Sequence, residues 1–265
     1  MVPSAGENLA MPNLLVEKHD AVTLFTLNRP EVHDNVDRDI AIALAENIDA
    51  FAKDDDAKVL VITGAGDTTF CAGANLKGMH ELWKHPYTYT AGPMGFALLD
   101  PGKPVIAAVN GWCLAGGLEL ALWCDLRIGT EAARLGFPER RWGVPLIDGG
   151  TQRLPRIVGM GRGLDLILSG RIVEAGEALE IGLLTEVVPP GRHVERALEM
   201  AEGLAAFPQK TMLSDRRAAI EGFGLPLDDA LALEAEIGAD STATGIEGAA
   251  RFASGEGRGG EGAGV

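Results

Sequence analysis

Three cysteines in 265 residues, Cys71, Cys113 and Cys124, form no Cys-x-x-Cys pair, and each sits among apolar or small neighbours. Such an odd, unclustered set excludes a disulfide framework and reads as buried, reduced thiols in a reducing compartment. Positive charge is scarce as well: 23 Lys and Arg face 38 Asp and Glu, a formal charge of −15. Because affinity for nucleic acid comes from Lys and Arg displacing counterions, no nucleic-acid partner is expected. The stretch Met1–Leu15 lacks both a basic opening and a continuous apolar run, so no secretory signal is expected and the cytoplasm is the expected location. Val105–Leu122 comes closest to a membrane span, but Asn110, Gly111, Gly116, Gly117 and Glu119 interrupt it. A charge at a helix centre costs roughly 3 kcal/mol, so a buried strand, turn and helix is expected there and no membrane partner.

Several chemical signatures are missing too. Gly64-Ala65-Gly66 has no third glycine at dinucleotide spacing, no P-loop Lys-Ser/Thr follows the glycines, and no serine lies in Gly-x-Ser-x-Gly. His80 and His85 are five residues apart rather than the four a zinc-binding helix face needs, so no metal is expected. With 46% hydrophobic and 23% charged residues and no Pro- or Ser-rich linker, the chain reads as one compact subunit with a smaller appended unit.

Patterning sets out the order of elements. Leu14–Glu17 and Ala21–Leu27 read as a hairpin about His19-Asp20, and residues 37–51 as an amphipathic helix opened by Asp37. Val59–Thr63 and Val105–Val109 are short β-rich runs closed by glycine turns, and Leu126–Ile128 and Glu186–Val188 add strands. Gly149–Leu168 and Val173–Leu179 read as helices. From about Gly191 strand signals vanish, and Val194–Ala206, Lys210–Ile220, Leu227–Ile237 and Thr244–Phe252 suit helices. Residues 255–265, with six glycines, are expected to be a flexible tail. The fold class is therefore α/β: a core over 1–190 and an all-helical oligomerisation region over 191–254.

Three segments carry the chemistry. Gly116-Gly117 precedes Leu118-Glu119, so the glycines can open a helix whose free N–H groups favour incoming negative charge, with Glu119 one turn further on the same face. In Phe70–Lys77, Gly73 permits unusual backbone angles and Asn75 can cap a short helix, leaving the Ala74 N–H presented. Glu139 follows Pro138 after Leu135-Gly136-Phe137. Two presented amides near two carboxylates suit chemistry beside a thioester carbonyl. Met79, Leu82, Trp83, Tyr87, Tyr89, Met94 and Phe96 are candidates to line an acyl pocket, with Trp142 closing another wall. Arg140, Arg141, Arg153, Arg156, Arg162, Arg216 and Arg217 are either solvated or contacts for small phosphates.

Together these segments resemble the enoyl-CoA hydratase/isomerase, or crotonase, superfamily over nearly the whole chain. Cys71–Lys77 is similar to its C-A-G-A-D-L-K loop, Gly111–Asp125 to its G-x-x-x-G-G-G-x-E-L-A-x-x-C-D block, and Gly149–Leu154 to G-G-T-Q-R-L. The resemblance implies a spiral of ββα units with a helical C-terminal trimerisation region, giving a trimer or a dimer of trimers. It implies an oxyanion hole from the Ala74 and Gly116 N–H groups, Glu119 and Glu139 as the acid/base pair, and Ala72, Gly73, Leu76, Trp83, Gly117 and Trp142 at the substrate. The implied reaction is hydration of a 2-enoyl-CoA, with no cofactor beyond the coenzyme A carried by the acyl-CoA substrate.

The chain departs from the pattern in three places. Asn75 replaces the loop Asp, and Asp34-Asn35 stand where the family's P-E-x-x-N-A-L segment has Asn and Ala. Val144-Pro145-Leu146-Ile147-Asp148 adds a third acid, readable as a helix N-cap or as a further catalytic residue. An enoyl- or dienoyl-CoA isomerase using Glu139 and Asp148, and a noncatalytic acyl-CoA-binding protein, are the alternatives.

Overall fold

A computed structural model describes residues 12–255. The N-terminal residues before 12, and the glycine-rich tail expected beyond Gly255, lie outside the described residues.

The expected hairpin forms from β1 (Leu14–His19) and β2 (Val22–Leu27), with Leu14 opposite Leu27 and His19 opposite Val22. Asp20 turns it at φ 50°, a left-handed position that Asp tolerates better than most residues. Helix α1 (Arg38–Lys53) is capped by Asp37, whose Oδ1 accepts from the Asp39 and Ile40 amides at 3.1 Å each. It buries the stripe Ile40, Leu44, Ile48 and Phe51.

Beyond α1 the chain alternates between two sheets. β3 (Val59–Gly64) is followed by β4 (Thr69–Cys71), β5 (Val105–Val109) by β6 (Trp112–Leu114), and β7 (Leu126–Thr130) by β8 (Arg134–Gly136); β9 (Ile172–Glu174) and β10 (Glu186–Val188) come last. One sheet has the order β1-β2-β3-β5-β7-β10, parallel from β2 onward. The other has the order β4-β6-β8-β9, with only β9 antiparallel. Each of β3, β5 and β7 thus hands the chain to a three-residue strand of the second sheet, which is how the spiral arises.

The second sheet is absent from the sequence reading because three residues are too few to show a period. Its partners also reassign one segment: Val173–Leu179, expected as helix, divides into β9 and α7 (Ala175–Glu180), since Ile172–Glu174 pairs with Arg134–Gly136. Gly149–Leu168 is two helices, α5 (Gly150–Val158) and α6 (Met160–Ser169), broken at Gly159 with φ 82° and ψ 154°, a conformation open only to glycine. Short helices α2 (Met79–Leu82) and α3 (Thr88–Ala91) lie between β4 and β5, and α4 (Gly116–Trp123) follows β6.

From β2 to β7 the first sheet is buried on both faces, which explains why β3 and β5 read as continuous apolar runs, while the edge strand β1 is mostly exposed. Leu60 and Ile62 join the main core with α1 and α4, while Val59 and Val61 face Ala197 and Ala201 of α8 (His193–Ala206). Helix α8 therefore completes the core, although the sequence boundary at 190 assigns it to the helical region. In α9 (Gln209–Gly222) and α11 (Thr242–Ser254) no residue is buried, and in α10 (Leu227–Ala239) only Ile237 is. All three cysteines are buried and free, and no helix among the described residues is long and apolar enough to cross a membrane.

Asp34 is fully buried at φ 51°, one carboxyl oxygen accepting from the Arg29 amide at 2.8 Å and the other without a partner. Burial pushes its pKa up to about 6, so stability is lost as pH rises from the ordinary value of 3.8 through 6. Asp34→Asn keeps the acceptor and removes the buried charge. Its melting temperature should exceed the parent's by a few degrees at neutral pH, about 1 kcal/mol, with the advantage vanishing in acid. An equal gain at low pH would show that charge is not the cause.

Candidate active site

The cavity that gathers the chemistry lies where the two glycine-rich turns meet. Leaving β4, the chain reaches Gly73 at φ 90° and is stitched to the 33–36 segment. Val36 N donates to Gly73 O and Asn75 N to Val36 O, each at 2.8 Å, and Ala72 N donates to His33 O at 3.0 Å. The Asn75 side chain accepts from Lys77 N at 3.1 Å, the expected cap. Leaving β6, Ala115 takes φ 53° and ψ −127°, unusual for a residue with a side chain, and turns the chain into α4 at Gly116.

The turns touch closely enough to exclude side chains. A Cβ on Gly73 would stand 2.9 Å from Gly116 N, and one on Gly117 would stand 2.1 Å from the Cys71 carbonyl oxygen. These two glycines let the loops close on one another, a side chain on Gly73 would press on the Gly116 amide, and neither glycine is itself a lining residue of the cavity. Ala74 and Gly116 do line it, and neither N–H has an acceptor among the described residues.

Glu119, on the first turn of α4, is 3% exposed, and its Oε1 accepts from Asp148 N at 3.0 Å and Gly150 N at 2.8 Å. A Cβ on Gly150 would come within 3.1 Å of that carboxylate, which accounts for the second glycine of Gly149-Gly150-Thr151. Burial raises Glu119 to about 8, against the two amide bonds that favour the ion; the neighbouring Asp148 and Glu139 charges add to the rise. Glu139 lies in the 3₁₀ turn Pro138–Trp142 after β8. Both its oxygens are buried without a partner, and burial lifts it to about 7.

Asp148 is not the cap of α5: Gly149 holds that position at φ 107° with no side-chain bond. Instead Asp148 faces the cavity, its Oδ1 accepting from Met94 N at 3.2 Å, and burial lifts it to about 6. Arg153 braces this corner from behind, donating to Asp148 O at 3.0 Å and Ala97 O at 2.7 Å. Arg140, Arg156, Arg216 and Arg217 also donate within the chain, to Ile167 O, Gln152 O, Asp125 and Glu221.

Of the expected lining residues, Ala72, Leu76, Met79, Leu82, Trp83, Met94 and Trp142 border the cavity. Tyr87 bonds Glu46 at 3.0 Å, Tyr89 is 92% exposed and Phe96 packs edge-on against Trp123, so these three are set aside. The sequence did not single out Val144, Leu146 and Ile147 as lining, because apolar loop residues carry no local signal. His85 was also missed. Its Nε2 lies 2.8 Å from Pro93 O and its Nδ1 accepts from Tyr87 N, which fixes the turn carrying Met94. Among the described residues no group of three His, Cys, Asp or Glu could hold a metal.

Two amides that can grip an anionic oxygen, close to carboxyl groups that titrate near neutrality, make an arrangement for stabilising an enolate while moving protons. The profile of the enoyl-CoA hydratase/isomerase family matches residues 17–253. A crotonyl-CoA hydratase of Syntrophomonas wolfei is 35% identical over 232 residues, 86% of this chain and 89% of the relative. A 2,3-dehydroadipyl-CoA hydratase of Escherichia coli is 35% identical over 228 residues, with the same coverage of 86% and 89%. The crystal structure of an enoyl-CoA hydratase from Bacillus anthracis aligns with a TM-score of 0.85 at 33% identity, over 92% of this chain and 96% of that one. Fold, motif order and similarity over most of its length agree: the chain belongs to the enoyl-CoA hydratase/isomerase family of the crotonase superfamily.

Proposed function

We propose that the protein adds water across the double bond of a 2-enoyl-CoA. The observation that carries this reading is the pair of acceptor-free amides, Ala74 and Gly116, opening on the same cavity as Glu119 and Glu139. Attack of water at the β-carbon drives electrons onto the thioester oxygen, where the two N–H groups stabilise the developing enolate. The ionised member of the Glu pair takes one proton from the water, and the protonated member delivers one to the α-carbon, so H and OH are added in sum. With the two acids raised to about 8 and about 7, one proton is shared between them near neutral pH, and it belongs to the pair rather than to either residue. The chemistry needs no cofactor beyond the coenzyme A of the substrate.

A second reading, migration of the double bond, is favoured by one observation: Asp148 brings a third carboxyl to the cavity. Crotonyl-CoA separates the two. Hydration predicts loss of conjugated-thioester absorbance and a product heavier by one water. Isomerisation predicts products of unchanged mass with a moved double bond from longer enoyl-CoAs. Binding without any reaction across a panel of enoyl thioesters would instead favour an acyl-CoA-binding protein.

The proposed assembly is a trimer or a dimer of trimers in the cytoplasm. Leu227, Leu231, Ile246 and Phe252 of α10 and α11 are exposed, apolar and suited to covering by further copies.

A further inference from the structure

We infer that the acyl group this site accepts is uncharged and apolar to its far end, and that an enoyl thioester ending in a second carboxylate is rejected. The inference rests on the hydratase reading and narrows its substrate class. Among the described residues, twenty line the cavity of about 130 Å³, and its only ionisable members are the acids Glu119, Glu139 and Asp148. No Lys, Arg or His is among them, and no Ser, Thr, Asn, Gln or Tyr. A distal carboxylate would find no counter-ion and no hydroxyl or amide donor on a lining side chain; the only other side-chain donors are the neutral indole N–H groups of Trp83 and Trp142 at the exposed rim, too weak to offset desolvation among acids.

The guanidinium groups of Arg153 and Arg140 do not reverse this, and Arg141, exposed next to Trp142 in the chain, is not among the lining residues. Arg153 donates to the backbone carbonyls of Asp148 and Ala97 behind the wall, and Arg140 donates to Ile167 O. The rim, by contrast, exposes apolar surface: Leu76 is 48% exposed, Trp83 43%, Trp142 74% and Ile147 38%. A hydrocarbon or aryl tail gains by covering that rim, whereas a carboxylate finds no cation among the rim residues, only the neutral indole N–H groups. Overall sequence similarity cannot separate the two acyl classes; the lining does.

Hex-2-enoyl-CoA and 2,3-dehydroadipyl-CoA share a six-carbon acyl skeleton and differ in the distal carboxylate, so the ratio of their kcat/KM values isolates the effect. The expected ratio favours hexenoyl-CoA by about a hundredfold, and a ratio below about tenfold overturns the inference. Ile147→Lys, which places a cation on the rim, should narrow the ratio. If neither thioester is hydrated, the hydratase reading fails by itself. Competition for binding between hexanoyl-CoA and adipyl-CoA then decides the acyl class separately: preference for hexanoyl-CoA by about tenfold or more supports it, and any smaller preference overturns it.

Discussion

Glu119→Gln and Glu139→Gln should each lower turnover on crotonyl-CoA by about a thousandfold, the range removed with a single general acid or base. Both variants should still fold. In Glu119→Gln the new side-chain carbonyl can accept from the Asp148 and Gly150 amides as the carboxylate does, and Glu139 makes no side-chain hydrogen bond that its amide would lose. Stability should even rise in alkaline solution. The folded pKa values, about 8 and about 7, lie above the ordinary 4.5, so the fold binds protons that the unfolded chain releases. Stability is therefore full below 4.5 and falls as pH climbs through 7 and 8. Each Gln variant escapes part of that fall, and thermal melts between about pH 5 and pH 9 would reveal it. The parent's rate profile should be a narrow bell, because only the singly protonated pair works. Unchanged turnover in both variants would sink the mechanism, while lost turnover accompanied by lost folding at all pH values would make the acids structural.

The adjacent glycines of α4 should fail in opposite ways. A Cβ on Gly116 would lie 2.2 Å from Met94 Sδ and 3.0 Å from its terminal Cε, on a flexible side chain that borders the cavity, and 3.5 Å from Ala74 N. Met94 can shift, so Gly116→Ala should fold with a melting temperature close to the parent's. Its methyl then stands between the two amides and should cost about a hundredfold in kcat, comparable to losing one oxyanion donor. A Cβ on Gly117 meets the Cys71 carbonyl oxygen at 2.1 Å and its carbon at 2.7 Å, which is backbone that cannot step aside without parting β4 from α4. Gly117→Ala should destabilise by about 3 kcal/mol or more and give little soluble protein, although alanine is the better helix former by about 1 kcal/mol. Melting and turnover measured on both variants would separate the two effects. A folded, inactive Gly117→Ala beside an unfolded Gly116→Ala would reverse the assignment.

Much of this site could be read from one-dimensional signals. Gly116, Glu119, Ala74 and Glu139 sit in motifs whose residue types follow from what they present: a free amide needs a small neighbour, and a helix start favours an acid one turn on. The hairpin, the Asp37 cap and the first-sheet strands were legible for the same reason, because each has a local period or a local hydrogen bond. Asp148 was ambiguous because a short acid before a glycine serves a cap or a cavity equally well. Only the partners settle it: Met94 N comes from 54 residues away and Glu119 Oε1 from 29.

The sequence by itself determined the family, the first-sheet strands and most of the longer helices, and the identity of the groups that could do chemistry, since these depend on residue type and short-range spacing. Tertiary structure decided which groups share a cavity. It formed strands too short to have a period by pairing them, moved α8 into the core, closed the two loops on each other at Gly73 and Gly117, and turned Tyr89 and Phe96 away from the cavity. The raised carboxyl pKa values belong to that second kind of information as well, because desolvation comes from residues the chain brings together from afar.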